Sequence, residues 1–325
     1  MGSTTETKNR IREFGETNLI NIVRNIVGST EDNDVEYMYI DGITLAMKID
    51  GLSLTTSKMP FMTHFDMGWK VMASVVSDFL AKLTKPLYAV VSITMRGDDT
   101  IGDFRELIRG LGSGANYFGM RYLGGDLNEG ADDVIDVAAI GKPMTRPIGR
   151  KPRIGDVLVT KPLFGYTGLV FKLYYSNELD RWKDVETVMK GIEILKRPEP
   201  EVGILNDLLK HADCISASMD SSDGLGKVLW TMATNGKVRI RVYGLPINDD
   251  LLSSLAEIPG VKLEEVVFNG GEEFLPVFSV REDCVAKFRD LGFVDFARIE
   301  EGNGVYFNDS PLKFRGWDYF TGWTG

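Results

Sequence analysis

Asp220-Ser221-Ser222-Asp223-Gly224 sets two carboxylates three residues apart, between a run of small and apolar residues ending at Met219 and an apolar-periodic run starting at Lys227. The first run reads as a buried strand and the second as a helix, so the acids stand in a strand-to-helix turn. Carboxylates there can hold a cation, while the N–H groups opening the helix point at an anion. A metal-chelated phosphate satisfies both; the simpler reading of the turn alone is that Ser222 and Asp223 cap the helix. Other acids are placed for the same work. Asp34 closes the acidic turn Glu31-Asp32-Asn33-Asp34, Asp50 precedes a glycine at the end of an apolar run, and Asp126 follows Gly124-Gly125, where the missing side chains let a ligand approach the backbone. Ser77-Asp78 interrupts an otherwise apolar helical pattern. An isolated buried charge is very costly, so Asp78 must be paired, coordinated or close to solvent, with Lys82 or Lys85 as its expected structural partner.

The elements that must position these groups follow from periodicity. Residues 11–27 predict an amphipathic helix stopped by Gly28-Ser29. Residues 37–40 and 44–49 predict a hairpin across Asp41-Gly42. Residues 67–83 predict a helix ended by Lys85-Pro86, 87–95 a strand, and 104–111 a helix. Gly110-Leu111-Gly112-Ser113-Gly114-Ala115 matches the dinucleotide fingerprint as a string, but a helix precedes it and a strand-like run follows, the wrong context. Those glycines are read instead as a turn into a strand that ends at Gly124-Gly125-Asp126. After a strand over 134–140 comes a basic, proline-broken stretch, 142–153, read as a domain boundary, in which Arg150 is a candidate for a nucleotide phosphate. Beyond it the pattern predicts strands at 157–160, 237–242, 274–280 and 297–300, and helices after Gly165-Tyr166-Thr167-Gly168 and at 182–195, 251–256 and 283–291.

Composition narrows the function classes. With 325 residues, 43% hydrophobic, the chain can build two cored domains. Lys and Arg number 37 against 47 Asp and Glu, a net charge of −10 with no basic stripe, which argues against nucleic acid as a partner. An acidic chain that binds a nucleotide must do so through divalent cations. A polar start and no apolar run of eighteen residues predict neither signal peptide nor membrane span, hence a cytoplasmic protein. Cys214 and Cys284 form no disulfide framework or zinc cluster and are read as small core residues; His64 and His211 are too scattered for a zinc site.

Taken in order, Asp50, Ser77-Asp78, Gly124-Gly125-Asp126, Gly155-Asp156, Asp220-Ser221-Ser222-Asp223-Gly224-Leu225 and Gly270-Gly271-Glu272 resemble the motifs of the thiamine-monophosphate kinases, within the larger family that includes aminoimidazole ribonucleotide synthetase. The resemblance runs from Phe14-Gly15-Glu16 to Gly316-Trp317-Asp318-Tyr319-Phe320. It implies an α/β (α+β) two-domain fold of the aminoimidazole ribonucleotide synthetase type. Residues 1–147 would bind ATP and Mg²⁺ and contribute a sheet to the barrel of a homodimer, and residues 148–325 would form an α/β sandwich. It implies transfer of the ATP γ-phosphoryl to thiamine monophosphate, giving thiamine diphosphate. On the matching positions, Asp34, Asp50, Asp78, Asp126, Asp220 and Asp223 would ligate Mg²⁺, with Asp220 and Asp126 catalytic; Gly125, Asp126, Arg150 and Ser222 would hold ATP; Ser57, Glu272 and Trp317 would meet the substrate. Phosphoryl transfer needs charge neutralisation and in-line positioning more than a protein nucleophile, so such a site is chemically sufficient without His or Cys. Departures fall mostly around the acceptor: Ser57 stands where the family has a histidine, Leu54 where it has a glutamate, and Glu273-Phe274-Leu275 where it has Asp-Tyr-Glu. Ile49, Val76 and Ile108 also replace polar residues, Ile108 a tyrosine that meets ATP. Two further readings stand beside this one: an ATP-using relative with a different small acceptor, and a paralogue that binds nucleotide without turnover.

Overall fold

The computed structural model describes residues 10–28 and 33–323. Glu31 and Asp32 of the expected acidic turn, and Ser29 of the expected helix stop, lie outside the described residues. Five strands, β1 (Glu36–Ile40), β2 (Ile43–Ser53), β3 (Thr84–Met95), β4 (Arg121–Glu129) and β5 (Val134–Pro143), form one sheet in the order β1-β2-β5-β3-β4. The hairpin forms where expected, because Asp41 (φ 49°) and Gly42 (φ 83°) both take the left-handed conformation that a two-residue connection requires. The second sheet holds β6 (Val157–Thr160), β7 (Ile215–Asp220), β8 (Arg239–Val242), β9 (Pro276–Val280), β10 (Val294–Glu300), β11 (Gly304–Phe307) and β12 (Ser310–Pro311), in the order β12-β11-β8-β10-β6-β9-β7. The proline-broken stretch around Arg150 runs between the two sheets. The architecture is the mixed α/β one expected; a single chain contributes an open five-stranded sheet to it.

The helices are α1 (Glu16–Val27), α2 (Leu54–Ser57), α3 (His64–Ala81), α4 (Ile101–Tyr117), α5 (Tyr166–Tyr175), α6 (Leu179–Trp182), α7 (Glu186–Lys196), α8 (Leu205–Leu209), α9 (Leu225–Gly236), α10 (Asp249–Glu257), α11 (Leu263–Phe268) and α12 (Val285–Arg289). The central one is α3. A capping box of Thr63 and Asp66 starts it, and every residue from Asp66 to Ala81 is buried. It lies between β2, β3 and β5 on one side and β7 and β9 on the other. A helix sheathed by two sheets must be apolar nearly all round, so each polar residue on it needs a partner. None of the helices in the described residues is long and apolar enough to cross a membrane.

Several expectations are corrected. The helix over 67–83 stops at Ala81, because Leu83 turns the chain with φ 48°, and Lys85-Pro86 lies inside β3, at a register shift where the proline nitrogen owes no ladder bond. The glycines at 110–114 make no turn. They are in α4, and a Cβ on Gly110 would stand 2.0 Å from the Phe65 carbonyl oxygen and one on Gly114 3.0 Å from Met72 Cβ, so these two let α4 close on α3, while Gly112 faces open space. Gly124-Gly125-Asp126 sits in the middle of β4 rather than at its end. A Cβ on Gly125 would stand 1.6 Å from the Val91 carbonyl oxygen, which gives that glycine a packing role. The helix expected over 182–195 is split into α6 and α7. Cys214 and Cys284 are buried as expected, but they are bonded to each other, tying the start of β7 to the start of α12.

Candidate active site

Three carboxylates from distant parts of the chain meet in the interior. Asp34 precedes β1, Asp78 lies in the last turn of α3 and Asp220 ends β7; all three are buried, with one oxygen of each within 4.8 Å of the others. The convergence follows from the fold: α3 is clamped between the sheet that Asp34 enters and the sheet that Asp220 leaves. Ser77, beside Asp78 on α3, donates to Asp220 Oδ2 at 2.8 Å and fixes its orientation. Asp50 approaches from β2 through Lys48, whose ammonium lies 2.7 Å from Asp78 Oδ2 and 3.2 Å from Asp50 Oδ1. Lys48 and Asp50 are two apart on one strand and therefore share its face.

The charges are unevenly satisfied. Asp34 is the most firmly held: Arg150 donates from Nε at 2.6 Å and from Nη2, and Lys82 Nζ stands 2.9 Å from the other oxygen. Against the burial that would raise it, these two cations hold the Asp34 carboxyl at about 2. Asp78 and Asp220 go the other way. Burial first, and then facing carboxylates, push Asp220 up to about 6 and Asp78 well above the usual range, with Lys48 only partly compensating. Asp223 is pushed to about 7, again mainly by burial. Four carboxylates, Asp34, Asp50, Asp78 and Asp220, face three cations, Lys48, Lys82 and Arg150. The donors left over are hard oxygens with no sulfur or imidazole among them, a set that fits Mg²⁺ or Ca²⁺ and not a zinc-type ion.

Next to this cluster the turn after β7 is bonded to the loop at 270–275. The Glu272 N–H donates to the Ser222 carbonyl at 2.7 Å, and the Leu275 N–H to Ser221 Oγ at 3.0 Å. Glu272 and Phe274 both sit in the left-handed region (φ 58° and 52°), a costly arrangement for residues with side chains that persists only where surroundings enforce it. Lys70, fully buried on α3, supplies part of that enforcement with its Nζ 2.6 Å from Glu272 Oε2. On the opposite flank the Trp317 N–H donates to the Asp223 carbonyl at 3.0 Å. Gly316 passes so close that a Cβ there would stand 2.4 Å from the same oxygen. Ser222, Asp223, Glu272 and Trp317, expected at the nucleotide, metal and substrate positions, thus occupy one neighbourhood beside Asp220.

Two expected residues stand elsewhere. Asp126 is exposed and pairs with Asn128 at 2.9 Å. Strand register aligns it with Ser92, Asp136 and Gly51, on the face of the sheet opposite to that of Asp50, and three strand spacings away, roughly 14 Å. Ser57 ends α2 half-buried, and among the described residues no hydrogen bond ties it to the cluster.

The partner expected for Asp78 is corrected as well: it is Lys48, not Lys82 or Lys85, since Lys82 turns to Asp34 and Lys85 is exposed on β3. Sequence reasoning missed Lys48 and Lys70 as site residues. A signal existed for Lys70, because Lys70, Ser74, Ser77, Asp78 and Lys82 recur at helical spacing and draw one polar stripe down a buried helix.

A family profile described as AIR synthase related protein, N-terminal domain, matches residues 32–142. Thiamine-monophosphate kinase of Pyrobaculum calidifontis is 42% identical over 294 residues, 90% of this chain and 92% of its own. Thiamine-monophosphate kinase of Nitrosopumilus maritimus is 29% identical over 319 residues, 95% of this chain and 99% of its own. Among solved structures, AaThiL complexed with AMPPCP and TMP superposes with a TM-score of 0.85 at 21% identity, covering 96% of this chain and 99% of that one, a likeness of fold.

Proposed function

Because the chain belongs to the thiamine-monophosphate kinase family, we propose that it transfers the γ-phosphoryl of ATP to the phosphate of thiamine monophosphate, giving thiamine diphosphate and ADP. The observation that carries this reading is the convergence of Asp34, Asp78 and Asp220 from three separate segments into one buried cluster. Random surface acids do not gather in an interior, where each costs free energy unless something compensates it.

The chain's own residues would divide the work. Asp78, Asp220, Asp50 and Asp223 would offer oxygens to Mg²⁺, with Asp220 aimed by Ser77; Asp34, held by Arg150 and Lys82, completes the cluster, and Asp126, on the outer face, would hold an ion only where a second copy completes its surroundings. Bound there, Mg²⁺ would neutralise charge on the phosphate oxygens. Asp220 is our catalytic residue within the cluster, where it would hold an ion against the transferred group; Asp126 is the second, and would act only in a site completed by another copy of the chain. Gly125, Asp126, Arg150 and Ser222 are assigned to ATP. Glu272 and Trp317 flank the turn on the acceptor side, and Ser57 completes that set. No side chain has to act as a nucleophile, since the acceptor phosphate brings its own attacking oxygen.

We also propose that the chain works as a homodimer. The outer face of the first sheet is apolar and uncovered: Ile40, Ile43, Ile49, Tyr88 and Val90 are all exposed, and strand register aligns Ile49 with Ala138 and Val90. A contiguous apolar sheet face of this kind marks an interaction surface. Asp126 points to the same side, so a second copy would cover it. The domains we assign are 1–147 and 148–325, and the cytoplasm is the proposed site of action.

The test is incubation with Mg-ATP and thiamine monophosphate, with thiamine diphosphate and ADP followed by chromatography. Product formation supports the reading. No product, together with Mg²⁺-dependent ATP binding by calorimetry, overturns it in favour of a nucleotide-binding paralogue.

A further inference from the structure

Two lysines reach the acid cluster, and they are placed differently. Lys82 is fully buried, and its ammonium has three acceptors: Asp34 Oδ2 at 2.9 Å, the Ser218 carbonyl at 2.6 Å and Ser218 Oγ at 3.3 Å. Every proton of that ammonium is used within the protein, which makes it a fixed part of the interior. Among the described residues, Lys48 has only carboxylates around its nitrogen, Asp78 Oδ2 at 2.7 Å and Asp50 Oδ1 at 3.2 Å, and its side chain keeps 20% exposure. It stands at the wall of the cluster, in the place where a cation shared by Asp50 and Asp78 would sit.

We infer that Lys48 is a resident cation between Asp50 and Asp78, and that its ammonium takes the place of one divalent ion these carboxylates would otherwise hold. The inference rests on the reading of these acids as the divalent-ion site. The geometry is exclusive: a divalent ion bound to both carboxylates needs oxygens about 2.0–2.6 Å away and cannot share the gap with an ammonium already in contact with each. The chemistry is also consistent. A lysine delivers one positive charge with no dehydration step and no dependence on ion concentration, whereas Mg²⁺ gives up its water reluctantly. The consequence is a site with a smaller divalent-ion requirement than its number of carboxylates suggests, with Lys48 setting the count.

The experiment counts Mn²⁺ bound per chain by electron paramagnetic resonance of the free ion, without nucleotide, for the wild type, Lys48→Met, Lys48→Gln and Lys48→Arg. Expected is one additional Mn²⁺ per chain in Lys48→Met, or tightening of the existing site by about tenfold, since affinity follows the net charge of the ligand set. Lys48→Arg keeps the wild-type count. Lys48→Gln, close in length and able to hydrogen bond, gives the same answer as Lys48→Met should the methionine variant fail to fold. An unchanged count and affinity in the folded neutral variant overturns the inference, and so does a loss of Mn²⁺, which would make Lys48 a support for the ligands. Thiamine diphosphate formation by the wild type is scored separately. A wild type without product but with the gained ion in Lys48→Met removes the kinase reading and leaves the cation role standing; an active wild type with no gain does the reverse.

Discussion

The two faces of the first sheet treat their aspartates in opposite ways. On the inner face, Asp78 and Asp50 are enclosed with Asp220, Ser77 and Lys48, all of them from the same chain. On the outer face, Asp126 lies in the open with Asn128 as its hydrogen-bond partner, among exposed apolar residues of β2 and β3. The inner group is assembled in advance by burial and by neighbours already in place, and it is left one positive charge short of balance. The outer group has no such enclosure among the described residues, and in the homodimer proposed above a second copy would supply it. A kinase built this way would have its ion cage preformed in each protomer, and its outer aspartate placed only when two protomers meet.

The strongest test of the inner unit concerns what anchors β7. The disulfide between Cys214 and Cys284 closes a separation of 70 residues at the start of the strand that ends in Asp220. Such a closure contributes about 4 kcal/mol in the chain-entropy account. Cys214→Ser with Cys284→Ser is expected to lower unfolding free energy by about that amount in urea titration, with little change for the outer face. Disulfides are uncommon in reducing compartments, intracellular proteins of hyperthermophiles being the exception. An unchanged urea midpoint would mean that packing alone anchors β7.

Next in size is the loss of an inner ligand against the loss of the outer one. Asp220→Asn should lower turnover about 10²-fold or more, by analogy with removing one preorganised electrostatic partner. Asp126→Asn should cost about tenfold, mainly in the KM for ATP, and its cost should depend on protein concentration if the residue is completed by a second copy. Equal, concentration-independent losses for the two would erase the distinction between the faces.

A smaller effect is expected at Lys70, which belongs to the inner unit but works through Glu272. Lys70→Met removes the charged partner of Glu272 and leaves its left-handed backbone to the bond to Ser222 and the closing bond from Leu275 to Ser221. A hydrogen bond to a charged group contributes roughly 1.5–3 kcal/mol, so kcat/KM for thiamine monophosphate should fall about tenfold or more, through KM. A change in kcat with KM untouched would place Lys70 at the chemistry instead.

How much of this was legible depended on whether the deciding interaction was local. The Asp41-Gly42 hairpin and the strand-turn-helix around Asp220 were readable because their signals lie within a few residues: a left-handed dipeptide in one case, an apolar run and glycines in the other. The motif order also placed Asp78 and Asp220 in one site, and both are there. What failed was set by distant neighbours. Gly110 and Gly114 of α4 look like part of a turn until Phe65 and Met72 of α3 are seen pressed against them. Gly125 has a packing role that its sequence did not show, because the Val91 carbonyl lies beneath it. The partner of Asp78 was sought one turn along its own helix, whereas the sheet supplied it from Lys48, and the disulfide joins residues whose spacing carries no local signal.

The smallest expected effect separates the loop at 270–275 from the acid cluster it adjoins. Glu273 is buried, and Thr167 Oγ1 donates to its Oε1 at 2.8 Å near the start of α5. Burial, only partly offset by that hydroxyl and by nearby backbone N–H groups, pushes its carboxyl up to about 8 from 4.5. A carboxyl raised in the folded state binds its proton more tightly there than when unfolded, so its contribution to stability is complete below about 4.5 and is lost as pH rises through about 8. Between pH 7 and pH 9 the loss should be about 1 kcal/mol, read as a falling urea midpoint. Glu273→Gln keeps the acceptor for Thr167 and has no proton to lose, so its midpoint should stay flatter over that interval. Asp34, held at about 2 by Arg150 and Lys82, is ionised throughout the same range and supplies no slope. If the glutamine variant retains the full decline, the pH sensitivity lies elsewhere, and the loop is held as firmly by an ionised Glu273 as by a protonated one.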